Sequence, residues 1–299
     1  MLIKWIWIVI ISLLLVSCGV DEVVKNNDNI PPDTDELAIG TSGSLEIMTW
    51  NIQNFPKRGS ETVDYMVDFI TRIDPDIICL QEIEDGASFI MLDNDLTEWD
   101  SFRTHSAAYD INLALLYRNS ADFQVISIQE LFDDDWFAFP RPPLQIEFTW
   151  NNEIFYVINN HLKASGGEEN EQRRELACLA LADYINNDLP NENVIITGDM
   201  NDLIIDSPDT NVFQVFLNDP DNFSFADYEI AFGSSNYWSW GNGASHLDHI
   251  LISNELFSEF ANSGSLIETL RLDDYLTGGW NTYDQFISDH RPVIIRLQF

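Results

Sequence analysis

Residues 76–82 read Asp76-Ile77-Ile78-Cys79-Leu80-Gln81-Glu82. An unbroken apolar run of this length, without polar alternation, predicts a strand buried on both faces. Pro75 just before it stops a helix whose apolar residues Val63, Met66, Val67, Ile70 and Ile73 recur at helical spacing. The strand then ends in a carboxylate, Glu82. The same construction recurs along the chain. An apolar strand over 45–50 runs into Asn51, one over 154–159 into Asn160-His161-Leu162-Lys163, and one over 194–197 into Gly198-Asp199-Met200-Asn201. Asp248-His249 opens the apolar run 250–252, and Ser288-Asp289-His290-Arg291 precedes the last strand at 292–297. Further strands are expected over 112–117, 123–128, 144–150 and 266–270, with Asn151-Asn152 closing a tight hairpin. A long helix over 168–189 is expected to turn Leu176, Leu179, Ala180 and Ile185 inward, with Cys178 on its core side, and to end at Pro190. Two halves of several strands and one or two helices predict an α/β fold, with two mixed β-sheets packed face to face between helical layers.

Strand ends hold polar groups rigidly and let several converge. Those gathered here are carboxylates, amides and histidines, with no well-placed serine or cysteine nucleophile. That donor set suits a hard divalent cation and an attacked phosphate. Glu82 is the expected principal metal ligand. Asn51 offers an amide to metal or phosphate oxygen, although it also reads as a turn residue beside Gln53 and Asn54. Gly198-Asp199-Met200-Asn201 is an equally good turn sequence, and it would also place a carboxylate and an amide where they orient a water. His290 with Asp248 would form a proton-accepting dyad, the carboxylate fixing the imidazole tautomer. Lys163, in a small flexible loop that continues Ala164-Ser165-Gly166-Gly167, suits a phosphate contact.

Fifty acidic residues against fourteen basic ones give a net charge of −36 over 299 residues. A broad basic face for nucleic acid is thereby excluded, and any phosphate substrate must be drawn in locally, by bound metal and a few arginines. The charge bears on solubility and partners rather than on the fold.

Taken together, Thr49-Trp50-Asn51-Ile52, Leu80-Gln81-Glu82, Asn160-His161-Leu162-Lys163, Gly198-Asp199-Met200-Asn201, Leu247-Asp248-His249-Ile250 and Ser288-Asp289-His290-Arg291-Pro292 resemble the endonuclease/exonuclease/phosphatase superfamily, the deoxyribonuclease I-like enzymes, over about residues 45–299. The resemblance implies a four-layer α/β sandwich and Mg²⁺-dependent cleavage of a phosphate ester, with Mn²⁺ or Ca²⁺ as alternative metals. It implies Glu82 as metal ligand with Asn51 and Asp289 nearby, and His290 as general base oriented by Asp248. Asp199 and Asn201 would position water and phosphate, and His161 would stabilise the phosphate or protonate the leaving oxygen. Where the deoxyribonuclease branch pairs that last histidine with a glutamate, Asn112 stands here. The stretch from His161 through Gln172-Arg173-Arg174 looks most like secreted bacterial nucleases, which offers Arg173 or Arg174 to phosphate unless they simply line a solvated helix turn. Arg118 is a further candidate.

At the N-terminus, Lys4 and an apolar run end in Leu15-Val16-Ser17-Cys18-Gly19, which resembles a bacterial lipobox. The expectations are a signal peptide over 1–17, lipid on Cys18, a flexible tether over 18–43 and one domain over 44–299. The chain is then a monomer held to a membrane of the bacterial cell envelope, facing periplasm or exterior, with nucleic acid as substrate. Two alternatives remain open: a sphingomyelinase-like or inositol-phosphate phosphoesterase, and a non-catalytic surface-binding lipoprotein. Phe132, Trp136, Phe137 and Phe139 are read as a buried flap, with lipid or base contact as the other option. Cys79 and Cys178 are expected as buried free thiols.

Overall fold

The computed structural model describes residues 37–41, 43–241 and 244–299. The leader, Cys18 and most of the expected tether lie outside the described residues. The tether's last part is docked rather than free: Leu37 and Ile39 are buried against the domain, and the Ile39 N–H donates to the Ile73 carbonyl at 3.1 Å. Packing therefore reaches upstream of the expected boundary at residue 44.

Among the described residues there are twelve strands in two six-stranded sheets. The first sheet contains β1 (Ser44–Phe55), β2 (Ile77–Ile83), β3 (Trp99–Arg103), β4 (Asn112–Arg118), β11 (Leu266–Thr269) and β12 (Val293–Gln298), in the order β11-β12-β1-β2-β4-β3. The second contains β5 (Phe123–Glu130), β6 (Leu144–Trp150), β7 (Glu153–His161), β8 (Asn193–Asp199), β9 (Phe223–Phe225) and β10 (Asp248–Ser253), in the order β5-β6-β7-β8-β10-β9. Both sheets are mixed. Helices α1 (Ser60–Ile73), α2 (Gly86–Asp95), α3 (Glu168–Asp188), α4 (Gln214–Leu217), α5 (Tyr228–Phe232), α6 (Phe257–Phe260) and α7 (Trp280–Phe286) complete the chain. The result is the four-layer α/β sandwich.

Three apolar clusters follow from that layering. Leu45, Ile47, Ile77 and Leu115 of the first sheet meet Phe148, Phe155, Ile195 and Ile250 of the second between the sheets. Trp50, Leu80 and Ile294 face out to Met66, Phe69 and Ile70 of α1. Ile158, Ile196 and Leu251 face out to Ala177, Leu181 and Ile185 of α3. Central strands buried on both faces explain the continuous apolar runs of the sequence, each fully buried large side chain contributing about 1.5–3 kcal/mol. The Asn151-Asn152 hairpin is present, both residues having positive φ (50° and 65°) between paired Trp150 and Glu153, as a two-residue turn of right-handed twist requires.

Three expectations need correction. On α3 the inner face is Arg174, Ala177, Cys178, Leu181, Ala182 and Ile185, whereas Leu176 and Leu179 are 40% and 44% exposed. The inward stripe admits a charged Arg174 because Asp202 neutralises it at 2.7 Å. Strands β3 and β9 and helix α2 were not expected. Finally, the aromatic segment at 132–139 divides: Phe139 is buried, Phe132 is half-buried and stacked on it at 4.8 Å, and Trp136 and Phe137 are exposed. Cys79 and Cys178 are buried free thiols in different clusters, and burial raises the pKa of both. Among the described residues no helix is long and apolar enough to cross a membrane.

Candidate active site

Strand direction gathers the polar clusters. β1 and β2 are parallel, as are β7 and β8, so their C-terminal ends lie at one edge of each sheet. β12 and β10 run antiparallel to these neighbours and begin at that edge. Asn51, Glu82, His161 and Asp199 therefore meet residues that open strands, Asp248 and His290. Asp248 pairs directly with Asp199, and His161 with Asp199 on the other side.

Two local irregularities aim the groups. Both ladders of β2 slip near its C-terminal end, and within that bulge Glu82 takes a positive φ of 65°. A bulge beside a site redirects a side chain, and a left-handed carboxylate residue is held there only by surrounding structure. Asn201 is likewise left-handed, with φ 54°. The second irregularity is Gly198 (φ 140°), where a Cβ would lie 2.0 Å from the Asn160 carbonyl oxygen. Only glycine lets β8 approach β7 this closely.

The sheets are latched immediately beneath the site. Gln81 donates through Nε2 to Asn159 Oδ1 (2.7 Å) and Thr49 Oγ1 (3.0 Å), while Asn159 Nδ2 donates to the carbonyls of Leu80 and Ala114. This buried bridge fixes the neighbours Glu82 and His161 relative to each other across the sheets.

Glu82, His161 and Asp199 each place a ligand atom within 4.8 Å of the others, as do Asp199, Asp248 and His290. Asp199 belongs to both sets, so Glu82 and His290 stand on either side of one carboxylate. Asn51 Nδ2 donates to Glu82 Oε1 (3.0 Å) and Asp199 Oδ2 (2.9 Å), and His161 Nε2 lies 3.6 Å from Asp199 and 3.9 Å from Glu82. Asp248 Oδ2 accepts from His290 Nδ1 at 2.7 Å. Ser288 bonds the Asn51 carbonyl (2.6 Å) and accepts from the His290 N–H (3.0 Å), and the Tyr283 hydroxyl donates to the His290 carbonyl (2.6 Å).

Charge in this dry setting is unusual. Burial, with the Asp248 and Glu82 charges, pushes Asp199 up to about 7 despite His290 and the Asn51 hydrogen bond. For His290, burial works against the charged form, but the Asp248 charge and hydrogen bond, with Asp199 and Asp289, raise it to about 10. His161 moves oppositely: burial and the cations Arg141, His290 and Lys163 hold it well below the usual imidazole range, so it is neutral at pH 7. Its Nδ1 and one oxygen of Asp248 are buried without a hydrogen-bond partner among the described residues. Crowded carboxylates with unused acceptor atoms fit an oxygen-seeking divalent cation, which offsets their repulsion.

Several expected residues fall differently. Asn51 spans the two carboxylates through Nδ2, and its Oδ1 accepts the Gln53 N–H at 3.0 Å, which leaves a second lone pair of that oxygen for a cation. Asp289 lies outside both sets; its Oδ2 accepts from Trp240 Nε1 (3.1 Å), beside His290. Asn112 does reach this edge of the sheet, yet its amide engages Thr104, Ala107 and the Asp110 carbonyl, so it does not orient His161. Arg118 sits at the opposite edge, since β4 runs antiparallel to β2, and is consumed by Asp74, Glu98 and the face of Trp99. Arg174 is buried, donating to the Lys163 and Ser165 carbonyls as well as Asp202. Arg173 donates to the carbonyls of Trp136 and Phe137. Asn201 donates to the Leu162 carbonyl (3.2 Å), and its backbone N–H to Asp199 Oδ1 (3.0 Å).

Arg141 stands in none of the sequence motifs, yet the structure brings it to the site. Its charge acts on Asp199, Glu82 and His161, its Nη1 donates to the Leu162 carbonyl at 3.3 Å, and its Nε is buried without a partner among the described residues. A basic residue fixed between prolines was the available signal. Arg141 and Arg173 also act on Lys163, which burial and these cations lower.

Asp227, His246 and His249 form another buried cluster with ligand-like spacing. Its hydrogen bonds argue against a cation. His249 donates from Nδ1 to Asp227 (2.6 Å) and from Nε2 to the Asp202 carbonyl (2.9 Å), so it is an imidazolium. His246 accepts the Ser239 N–H at Nδ1 and donates from Nε2 to Asp227 (3.0 Å). Every ring nitrogen is used. This network secures the Asp199–Asp202 turn from behind.

The family model described as the Endonuclease/Exonuclease/phosphatase family matches residues 48–290. No curated protein sequence matches. Among solved structures, D. rerio TDP2 complexed with single strand DNA product superposes with TM-score 0.65 at 14% identity, covering 86% of this chain and 99% of that one. The human Nocturnin catalytic domain with bound sulfate anion gives 0.63 at 18%, covering 86% and 95%. An endonuclease/exonuclease/phosphatase from Bacteroides vulgatus gives 0.60 at 15%, covering 86% and 99%. At these identities the likeness establishes the fold.

Proposed function

Because the chain belongs to the endonuclease/exonuclease/phosphatase family, we propose that this site is a Mg²⁺-dependent phosphodiesterase centre and that its substrate is nucleic acid. The observation that carries the reading is Asp199, shared between the Glu82–His161 set and the Asp248–His290 dyad. One side of it can hold a cation and phosphate, and the other can take a proton from water.

Glu82 and Asp199 would hold the cation, which would supply polarisation of the phosphoryl group and offset the carboxylate charge that raises His290. His290, its Nδ1 fixed on Asp248, receives the water proton at Nε2, and the buried carboxylate stabilises the imidazolium that forms. Asp199 and the Asn201 amide orient that water and steady the phosphate. Neutral His161 serves as a hydrogen-bonding group toward the phosphoryl oxygens rather than as the acid for the leaving oxygen. Arg141 and Lys163 supply local positive charge that a chain of net charge −36 otherwise lacks.

That local cationic pair supports nucleic acid over a neutral substrate, and the D. rerio neighbour was captured with a single-strand DNA product. The Cys18 sequence context supports a lipid-anchored monomer in the bacterial cell envelope, acting on extracellular DNA or RNA; loss of acyl labelling in Cys18→Ser tests the anchor. The substrate assignment is tested by turnover of plasmid DNA, RNA, sphingomyelin and inositol phosphates with Mg²⁺ and with EDTA. Metal-dependent cleavage of DNA or RNA is expected. Turnover of sphingomyelin or inositol phosphates alone would replace nucleic acid with those substrates.

A further inference from the structure

Trp136 and Phe137 are 62% and 43% exposed on a protein whose other aromatic residues mostly pack inside. They are not on a loose loop. Asp135 Oδ1 accepts the N–H groups of Phe137 (3.2 Å) and Ala138 (3.0 Å), and the Asp135 carbonyl accepts the Phe139 N–H (2.9 Å). From α3, Arg173 donates to the carbonyls of Phe137 (2.6 Å) and Trp136 (3.2 Å) and lies over the Phe137 ring at 5.1 Å. The same Arg173 acts electrostatically on Lys163, whose backbone carbonyl is held by the adjacent Arg174. Trp136 also shares a small pocket with Phe139, Pro140 and Pro142, the residues that flank Arg141. The Ala108 N–H donates to the Pro140 carbonyl at 3.0 Å, which brings the loop of the 92% exposed Tyr109 to the same segment. The exposed aromatic residues are thus tied through Arg173 toward Lys163, and through Pro140 and Pro142 toward Arg141.

Resting on the nuclease reading above, we propose that Trp136, backed by Phe137, is a stacking platform for an unpaired nucleobase one or two nucleotides from the scissile phosphate, with Lys163 taking the intervening phosphate. A base face is neutral and stacks on indole, while the backbone needs a cation; Trp136 offers the first, and Lys163 and Arg141, on segments linked to it through Arg173 and the flanking prolines, offer the second. Charge favours that occupant over a membrane. Asp133, Asp134 and Asp135 precede the platform, and Glu168, Glu169 and Glu171 open the helix beside it. Such a border repels the headgroups of an anionic membrane laid across it, whereas a single strand need rest only one neutral base face on Trp136 while its phosphates turn to Lys163 and Arg141. Paired bases keep their faces hidden, so the platform selects single-stranded or locally opened substrate.

The experiment uses the full chain carrying His290→Ala, so that bound substrate persists, and titrates a single-stranded hexanucleotide and an abasic backbone of equal length with Mg²⁺. The base-bearing strand should bind about 5- to 100-fold more tightly and quench tryptophan fluorescence. Adding Trp136→Ala should bring the two affinities within about twofold while leaving the abasic affinity unchanged, and Trp136→Phe should keep part of the preference. Because Trp136 is exposed, its loss leaves the fold intact, which melting checks. An undiminished base preference in Trp136→Ala overturns the platform. So does a Trp136-dependent blue shift with phosphatidylcholine vesicles and no quenching by the oligonucleotide. Wild-type protein that cleaves neither DNA nor RNA refutes the nuclease reading itself; cleavage with a Trp136-independent base preference refutes only the platform.

Discussion

Replacing Gly198 by alanine is the sharpest structural perturbation this fold offers. The added Cβ meets the Asn160 carbonyl oxygen at 2.0 Å and its backbone nitrogen at 2.8 Å, in a residue whose φ of 140° already disfavours a side chain. Ordinary contact needs more than 3 Å, so β7 and β8 must part by about 1 Å at the centre of the second sheet. That move stretches the paired rungs Asn159–Thr197, Asn160–Gly198 and His161–Asp199. Strain at a special φ together with two or three weakened buried hydrogen bonds costs about 3–5 kcal/mol. At about 2–4 °C per kcal/mol for a domain of this size, the melting temperature should fall by about 6–20 °C. Urea unfolding monitored by circular dichroism measures the loss. Since the last rung joins two site residues, phosphodiester turnover of the folded fraction should also drop by at least about 100-fold. A melting temperature within 2 °C of wild type, with turnover retained, would refute the claim that this close approach positions His161 and Asp199.

Arg141→Met should raise KM about tenfold or more with a smaller change in kcat, because it removes charge near the phosphate while leaving the His290–Asp248 hydrogen bond in place; steady-state kinetics separate the two. His249→Gln should cost about 3–5 kcal/mol at pH 6 by removing the imidazolium that neutralises buried Asp227, as urea unfolding would report. His249 is raised in the folded state by Asp227, against the pull of burial, so its contribution is complete below its unfolded value and is lost as pH rises through the higher folded one. Asp227 is lowered by its two histidines, which outweigh burial, so its contribution is present above its unfolded value and is lost as pH falls through the folded one. The gap between wild type and His249→Gln should therefore narrow both above neutral pH and in strong acid. A gap constant from pH 5 to 9 would contradict the assignment of His249 as an imidazolium.

Much of this was legible in the chain because buried strands announce themselves as unbroken apolar runs, and the residues that close them are few and polar. The strands, the hairpin at Asn151-Asn152 and the placing of Glu82, His161, Asp199, Asp248 and His290 at strand ends rest on that signal, while the four-layer sandwich and the roles within the site came from the motifs' resemblance to a known superfamily. Other features depended on information a local pattern lacks. The edge strand β3 alternates only weakly, and α2 is announced chiefly by the Asp85 side chain accepting the Ala87 and Ser88 N–H groups. The inner face of α3 was misjudged because an arginine there is tolerable only with Asp202, a partner distant in sequence. Arg118 and Asn112 share one strand, yet antiparallel pairing sends one to the site edge and the other away from it. Arg141 was hidden because its role depends on which segment crosses the site rim, which no local pattern around Pro140 and Pro142 encodes.

The most direct test of the central claim is the rate of bis(4-nitrophenyl) phosphate hydrolysis by His290→Ala relative to wild type, with saturating Mg²⁺ and matched melting curves. A fall of about 1,000-fold or more in kcat is expected, since the buried dyad supplies the base. A folded variant that retains turnover within tenfold of wild type would show that His290 does not take the water proton, and the mechanism built on Asp248, His290 and Asp199 would fail.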